Sequence, residues 1–193
     1  MNEIVGALAP VVDALDALGR RYRVGGSVAS SALGVPRSTI DVDIVCELFE
    51  GDVERFVSSL ASAYYVDADM IRDAIRRRAS FNVVHLQTMM KVDVFVTKGG
   101  AYDRMALSRV VRKPLDESTR AYDLATAEDV VLRKLEWFRL GNEISERQWR
   151  DVIGVLQIQR DALDREYLQH WARDLGVDDL LARAFREAEK QEG

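Results

Sequence analysis

Apolar side chains recur at helical spacing at the start of the chain and at every second position in a later stretch. Between residues 3 and 20 they fall three or four positions apart, which places them on one stripe of a helix. Residues 39–45 alternate instead, so a strand there would turn Ile40, Val42 and Ile44 towards the core. The first half of the chain is therefore predicted to contain both helices and strands.

Further elements follow from the same patterns. A short strand over 22–24 ends at Gly25-Gly26, and Ser27 can cap a helix over 28–33. Helices are predicted at 52–63 and 69–78. Two strand-like runs, 81–86 and 91–96, are separated by a short turn region, which predicts a hairpin.

From about residue 100 the pattern becomes helical. Thr126 supplies a capping oxygen for a helix that ends near Gly141, and three more helices are predicted at 145–159, 164–175 and 177–190. We expect an α/β (α+β) fold, with a small mixed β-sheet core flanked by helices and followed by a C-terminal helical bundle. The predicted division is a core of residues 1–115 and a helical region of residues 116–193 that packs on it or forms one continuous domain with it.

Composition narrows the class of protein. At 48% apolar residues the chain can bury a core, and no apolar run reaches the ~20 residues that span a bilayer. The single Cys46 excludes an internal disulfide and a cysteine-built zinc site, and the two histidines are far apart in sequence. We expect a cytoplasmic protein with no membrane partner.

The charge balance weighs against a general polyanion binder. The chain has 27 basic and 32 acidic residues, a net charge of −5, so any basic surface must be local. One such group is Arg76-Arg77-Arg78, at the end of a predicted helix. It is either a solvated helix end, which the helix dipole favours, or a contact for an acceptor RNA or another polyanion.

Three acids lie within predicted strands: Asp41, Asp43 and Asp93. The D-x-D spacing places two carboxylates on one face of a strand, because side chains alternate with period two. Carboxylates gathered on a sheet repel one another unless a cation compensates, and hard oxygen ligands suit Mg²⁺ or Mn²⁺. Two such ions about 3.5–4 Å apart form the usual clamp for in-line phosphoryl displacement.

A small-residue turn precedes these acids. Gly25-Gly26-Ser27 joins a predicted strand to a helix N-terminus. Glycine permits close approach of the backbone, and the free N–H groups and the helix dipole attract phosphate. The Ser27 hydroxyl can either cap the helix or bind a phosphate oxygen.

Together these motifs resemble a known superfamily. The stretch YRVGGSVASSALGVPRSTIDVDIV (22–45) resembles the first signature of the polymerase-β-like nucleotidyltransferases, and KVDVFV (91–96) resembles their third-carboxylate strand. The stretch from Thr126 to Leu156 is similar to a later motif of the AbiEii-like (abortive-infection, toxin-type) members. In that motif a helix lysine is followed by an arginine and an aspartate on the next helix.

The resemblance implies that Asp41 and Asp43 bind two divalent ions, Mg²⁺ or Mn²⁺. Asp93 would complete one of the two metal sites and activate the acceptor hydroxyl as a base. The implied reaction is transfer of a nucleoside monophosphate from a nucleoside triphosphate (NTP), with pyrophosphate leaving.

The resemblance also implies the nucleotide contacts. Ser27 and the Gly26 backbone would hold the β- and γ-phosphates, and Lys134 would neutralise triphosphate charge. Asp151 would position Lys134 or the base and ribose, and Arg37 would contact a phosphate or the acceptor.

The family arginine corresponds to either Arg147 or Arg150. Arg147 is also a candidate acceptor contact. Each assignment has a structural alternative: Ser27 as a plain helix cap, Lys134 as a surface lysine, and Asp151 as an i,i+4 partner of Arg147. Arg37 has the alternative of an ordinary loop arginine.

The acceptor stays open on sequence alone. The toxin-like interpretation predicts transfer to a tRNA or protein hydroxyl and a neutralising antitoxin partner. The alternatives are an antibiotic-type nucleotidyltransferase with a small-molecule acceptor and a non-catalytic nucleotide- or partner-binding module of the same fold.

Overall fold

A mixed β-sheet organises the first part of the chain. The computed structural model describes residues 2–117 and 119–190. Within these ranges seven strands form one sheet: β1 Tyr22–Val24, β2 Asp41–Cys46, β3 Tyr64–Tyr65, β4 Ser80–His85, β5 Lys91–Val96, β6 Val110–Pro114 and β7 Ala121–Ala125.

The strand order is β3-β4-β5-β2-β1-β7-β6. The central pair β2 and β5 is parallel, as is β1 with β7, whereas β1 with β2, β4 with β5 and β3 with β4 are antiparallel. The expected hairpin of β4 and β5 is confirmed, and so is the mixed α/β fold class.

Helices alternate with the strands along the chain and follow the last of them. Those in the described residues are α1 Asn2–Ala17, α2 Gly26–Leu33, α3 Val53–Leu60, α4 Ala68–Arg77, α5 Ala101–Ser108, α6 Ala127–Leu140, α7 Glu146–Gln159, α8 Arg165–Asp174 and α9 Asp178–Lys190. No helix in the described part of the chain combines the length and apolar character needed to cross a membrane.

Side-chain caps fix where several helices begin. The Thr126 hydroxyl accepts a hydrogen bond from the Asp129 N–H at the start of α6, as predicted. Ser145 and Asp164 cap α7 and α8 in the same way. Each cap satisfies an N–H group that has no partner inside its own helix.

The chain divides into two compact units. The first, here called the sheet unit, comprises Met1–Gly25 and Thr39–Leu124. Its core includes Leu8 and Leu15 of α1 and Ile44 of β2, all fully buried. Ile40 does not join them, because β2 begins at Asp41 and leaves Ile40 78% exposed.

The second, the helical unit, comprises Gly26–Ser38 and Ala125–Gly193. In it α2 packs against α6 and α7. The contact between α2 and α7 is close: a Cβ at Gly34 would lie 2.9 Å from Val155 Cγ2. The contacts thus group α2 with the C-terminal helices, while the division at residues 115 and 116 stays a prediction about domains.

Besides the position of Ile40, two local expectations are wrong. The stretch after residue 100 is not purely helical, since it contains β6 and β7. Strand β7 is held by parallel pairing with β1, where Val24 faces Leu124, and local spacing does not reveal such a distant partner. Ser27 is not the N-cap of its helix, because α2 already begins at Gly26.

Candidate functional site

The three predicted metal ligands lie on one face of the sheet. Asp41 and Asp43 are half-buried on β2, while Val42 and Ile44 between and beside them are fully buried on the opposite face. Asp93 lies between buried Val92 and Val94 on β5 and is directly opposite Asp43 in the parallel register. We call Asp41, Asp43 and Asp93 the acid row.

Lys91 shares the face of the acid row. It is paired with Asp41 in register, and its Nζ lies 2.9 Å from Asp93 Oδ2. The hydrogen bond to Asp93 raises the pKa of Lys91, and the charges of Asp93, Asp41 and Asp43 raise it further. Sequence reasoning missed this residue, although the alternation in KVDVFV places Lys91 and Asp93 on one face.

The acid row fits a divalent ion in chemistry and in spacing. Neighbouring strands lie about 4.8 Å apart and residues two apart on a strand about 6.6 Å apart, so rotation of the side chains can bring these carboxylates to a shared ion. The carboxylates do not converge as they stand: among the described residues no group of three His, Cys, Asp or Glu side chains is arranged to hold a metal ion. The Asp93 carboxylate does not face the other two because it is bound to the Lys91 ammonium.

The glycine turn connects the sheet unit to the helical unit. The Gly25 N–H donates to the Asp43 carbonyl oxygen at 2.8 Å, which ties the end of β1 to the acid row. A Cβ at Gly25 would meet no atom within 4 Å. Gly26 has φ +54°, a conformation that glycine adopts without the strain of a side chain.

A second group of charged residues, here called the cation cluster, lies within the helical unit. It consists of Arg37, Lys134 and Asp151. Arg37 donates through Nε to Asp151 Oδ1 and through Nη2 to Asp151 Oδ2, both at 2.9 Å. Lys134 Nζ donates to the same Oδ2 at 2.7 Å. Two cations therefore share one carboxylate.

Burial makes these contacts strong. The side chains of Lys134 and Asp151 are only 7% and 8% exposed. Burial alone would raise the pKa of Asp151, but the hydrogen bonds from Arg37 and Lys134 outweigh it and hold that pKa below its ordinary value. The hydrogen bond to Asp151 likewise raises the pKa of Arg37. The cluster keeps one net positive charge next to the first turn of α2.

Two polar residues complete the cluster. The Ser30 hydroxyl, on a residue only 2% exposed, lies 3.4 Å from Asp151 Oδ2, and Gln148 Oε1 accepts from Lys134 Nζ at 3.3 Å. Sequence reasoning missed both. Gln148 could have been found, because it lies three residues before Asp151 and so shares its side of α7.

The serine of the glycine turn is also part of this network. Ser27 Oγ accepts a short hydrogen bond from Arg37 Nη2. Arg37 Nη1 donates to the Ser38 carbonyl oxygen at 3.2 Å, so the guanidinium is bound on several sides within its own unit. Arg37 is therefore placed to orient Ser27 and Asp151, beyond the phosphate contact that the sequence suggested.

The candidate acceptor residues belong to neither group. Arg76 and Arg77 are exposed in the last turn of α4 and pair with Asp73, while Arg78 ends that helix and donates to the Thr97 carbonyl oxygen at 3.2 Å. Arg147 is exposed on α7, and Asp151 binds Arg37 and Lys134 in place of its predicted i,i+4 partner.

Known proteins resemble this chain in structure but not in sequence. No protein-family profile matches the sequence, and no curated protein matches it. An antigenic nucleotidyltransferase-like protein from Paracoccidioides brasiliensis is similar in structure, with TM-score 0.54 and 18% identity over 81% of this chain and 76% of that one.

Two structures of the antibiotic-resistance factor ANT(2'')-Ia are similar as well. Its solution structure gives TM-score 0.50 and 13% identity over 97% of this chain and 95% of that one. Its complex with adenylyl-2''-tobramycin gives TM-score 0.54 and 8% identity over 91% and 97%. These identities are low, and nothing in these three structures points to the AbiEii-like members in particular. The chain therefore shares the fold of these nucleotidyltransferase-like structures.

Proposed function

We propose that the protein is a metal-dependent nucleotidyltransferase, which moves a nucleoside monophosphate from an NTP to an acceptor hydroxyl. The observation that carries this proposal is the acid row on β2 and β5, with Asp43 and Asp93 opposite each other in register. Three aspartates on one sheet face do not stabilise the fold, because Asp is disfavoured in strands and adjacent carboxylates repel one another. A binding role explains their presence better than a structural one.

In the proposed site Asp41 and Asp43 hold two divalent ions, Mg²⁺ or Mn²⁺, and Asp93 completes one of the two metal sites. When bound, such ions neutralise charge on the triphosphate and on the leaving group. The burial of Val42 and Ile44 on the opposite face fixes the strand that carries the first two ligands.

The nucleotide is proposed to bind through the glycine turn and the cation cluster. Ser27 and the Gly26 backbone N–H hold the β- and γ-phosphates, and Lys134 supplies a compact positive charge for them. Asp151 holds Lys134 in place through the 2.7 Å contact, and Arg37 orients both Asp151 and Ser27.

The proposed reaction forms one bond and breaks another. The acceptor oxygen attacks the α-phosphorus and loses its proton to Asp93, while the bond from the α-phosphorus to the β-phosphate oxygen breaks and pyrophosphate leaves. Catalysis would come from positioning and from electrostatic stabilisation of the phosphoryl oxygens.

A small-molecule acceptor is favoured by one specific observation. The similarity to ANT(2'')-Ia extends over nearly the whole of both chains, and one of its structures is a complex with adenylyl-2''-tobramycin. A tRNA or protein hydroxyl, with an antitoxin as neutralising partner, is the second candidate, and it depends on the resemblance to AbiEii-like proteins alone.

The acceptor can be tested directly. Each α-labelled NTP is incubated with the protein and Mg²⁺ in the presence of an aminoglycoside panel, total tRNA or lysate protein. Label on an aminoglycoside supports the small-molecule acceptor, and label on tRNA or protein supports the toxin-like one. NTP binding without pyrophosphate release or label on any acceptor would favour a non-catalytic binding module.

A further inference from the structure

The ion pair between Lys91 and Asp93 occupies one specific part of the acid row. Lys91 Nζ binds Asp93 Oδ2 at 2.9 Å, whereas Asp41 and Asp43 lie on the neighbouring strand. Asp93 is also the better shielded partner, with a side chain 20% exposed against 43% for Lys91.

The β5 backbone fixes this pairing. Val92 and Val94 are fully buried on the opposite face, so Lys91 and Asp93 are both directed to the face of the acid row. In the register Lys91 is opposite Asp41 and Asp93 is opposite Asp43, so Lys91 lies on the same sheet face as all three carboxylates and binds one of them, Asp93. It supplies a positive charge where the proposed function places a divalent ion.

We propose that Lys91 is a built-in competitor for the ion that uses Asp93. This inference rests on the proposed function, because it assumes that the acid row binds metal. A divalent ion can be held by Asp93 only after the ammonium releases the carboxylate. The metal site that includes Asp93 is therefore the weaker of the two, and Lys91 sets its affinity.

The ion pair of Lys91 and Asp93 is partly exposed, so we expect it to have a moderate effect on metal affinity. Groups that contact a metal ligand change metal affinity by roughly 10- to 100-fold, so removing the ammonium of this partly exposed pair should tighten metal binding about tenfold. A residue with only a structural role on β5 would leave metal affinity unchanged.

The test is Mn²⁺ binding to the full chain, followed by electron paramagnetic resonance with a non-hydrolysable NTP analogue present. Lys91→Met keeps much of the side-chain volume without the charge, and Lys91→Gln serves if the Met variant is poorly folded. Lys98→Met is the matched control, since Lys98 is an exposed lysine of the same unit and its replacement changes the net charge equally.

We expect Lys91→Met to lower the Kd of the weaker Mn²⁺ site about tenfold and Lys98→Met to leave it within about twofold. When Asp93→Asn is already present, adding Lys91→Met should give little further gain. Equal affinities for the Lys91 and Lys98 variants, an undiminished gain in the presence of Asp93→Asn, or no Mn²⁺ binding in any variant would overturn the inference. Mn²⁺ binding with the expected pattern but no pyrophosphate release would overturn the proposed enzyme and leave the role of Lys91 standing.

Discussion

At the scale of single residues, Arg37 shows which features of the site the sequence predicts and which it does not. Its position in the first signature marked it as a candidate, but its partners lie far away in the chain. Asp151 is 114 residues away and meets Arg37 only after folding. The side-chain alternation of β2 and β5 was readable because period two is a local property, whereas the pairing of Arg37, Lys134 and Asp151 depends on helix packing.

Arg37→Lys should weaken both the helical unit and nucleotide binding. A lysine cannot donate to both oxygens of Asp151 and to Ser27 at once, so hydrogen bonds to a buried carboxylate are lost. We expect the free energy of unfolding to fall by about 2 kcal/mol, measured by urea denaturation, and the Kd for NTP to rise. Arg173→Lys on the exposed side of α8 is the control. Equal stability of the two variants would contradict the role given to Arg37.

At the scale of elements, local patterns predicted most helices and failed for three strands, β3, β6 and β7. Thr126, with its cap and acidic first turn, correctly located the start of α6, because capping is a local interaction. Strand β7 was missed since its pairing partner β1 is about a hundred residues away. Close packing between helices also cannot be predicted from local sequence. The residues around Gly34 do not indicate that it packs against Val155.

Gly34→Ala should destabilise the packing of α2 on α7. The new Cβ would lie 2.9 Å from both the Ser30 carbonyl oxygen and Val155 Cγ2, too close without a shift of the backbone. We expect a loss of about 1–3 kcal/mol in the free energy of unfolding. Gly6→Ala, at an exposed position of α1, meets no atom within 4 Å and should instead gain up to about 1 kcal/mol. Thermal unfolding of the two variants should shift in opposite directions, and a shift in the same direction would contradict this packing.

At the scale of the whole molecule, the net charge of −5 does not predict the local charge of the acid row or of the cation cluster. The acid row concentrates negative charge in the sheet unit, and the cation cluster keeps a positive charge in the helical unit. The signature of residues 22–45 crosses between the units twice, after Gly25 and after Ser38. Residues that are neighbours in this motif therefore belong to different units. Composition and periodicity do not reveal this division.

Acid should remove the stabilisation that the cation cluster provides. The pKa of Asp151 is below its ordinary value in the folded state, so its contribution is complete above the unfolded value near 3.9 and is lost as pH falls through the folded value. We expect wild type to exceed Asp151→Asn in Tm at pH 7 and this difference to shrink towards pH 3. A difference that is constant with pH would mean that the charge of Asp151 does not stabilise the fold.

The most direct measurement is Mg²⁺-dependent pyrophosphate release from an NTP with the acceptor mixtures, by wild type and Asp43→Asn. Asp69→Asn is the matched control, because the Asp69 side chain is 95% exposed in the sheet unit. The proposed function predicts release by wild type and Asp69→Asn and a loss of at least about a hundredfold in Asp43→Asn. Equal release by wild type and a folded Asp43→Asn variant would contradict it.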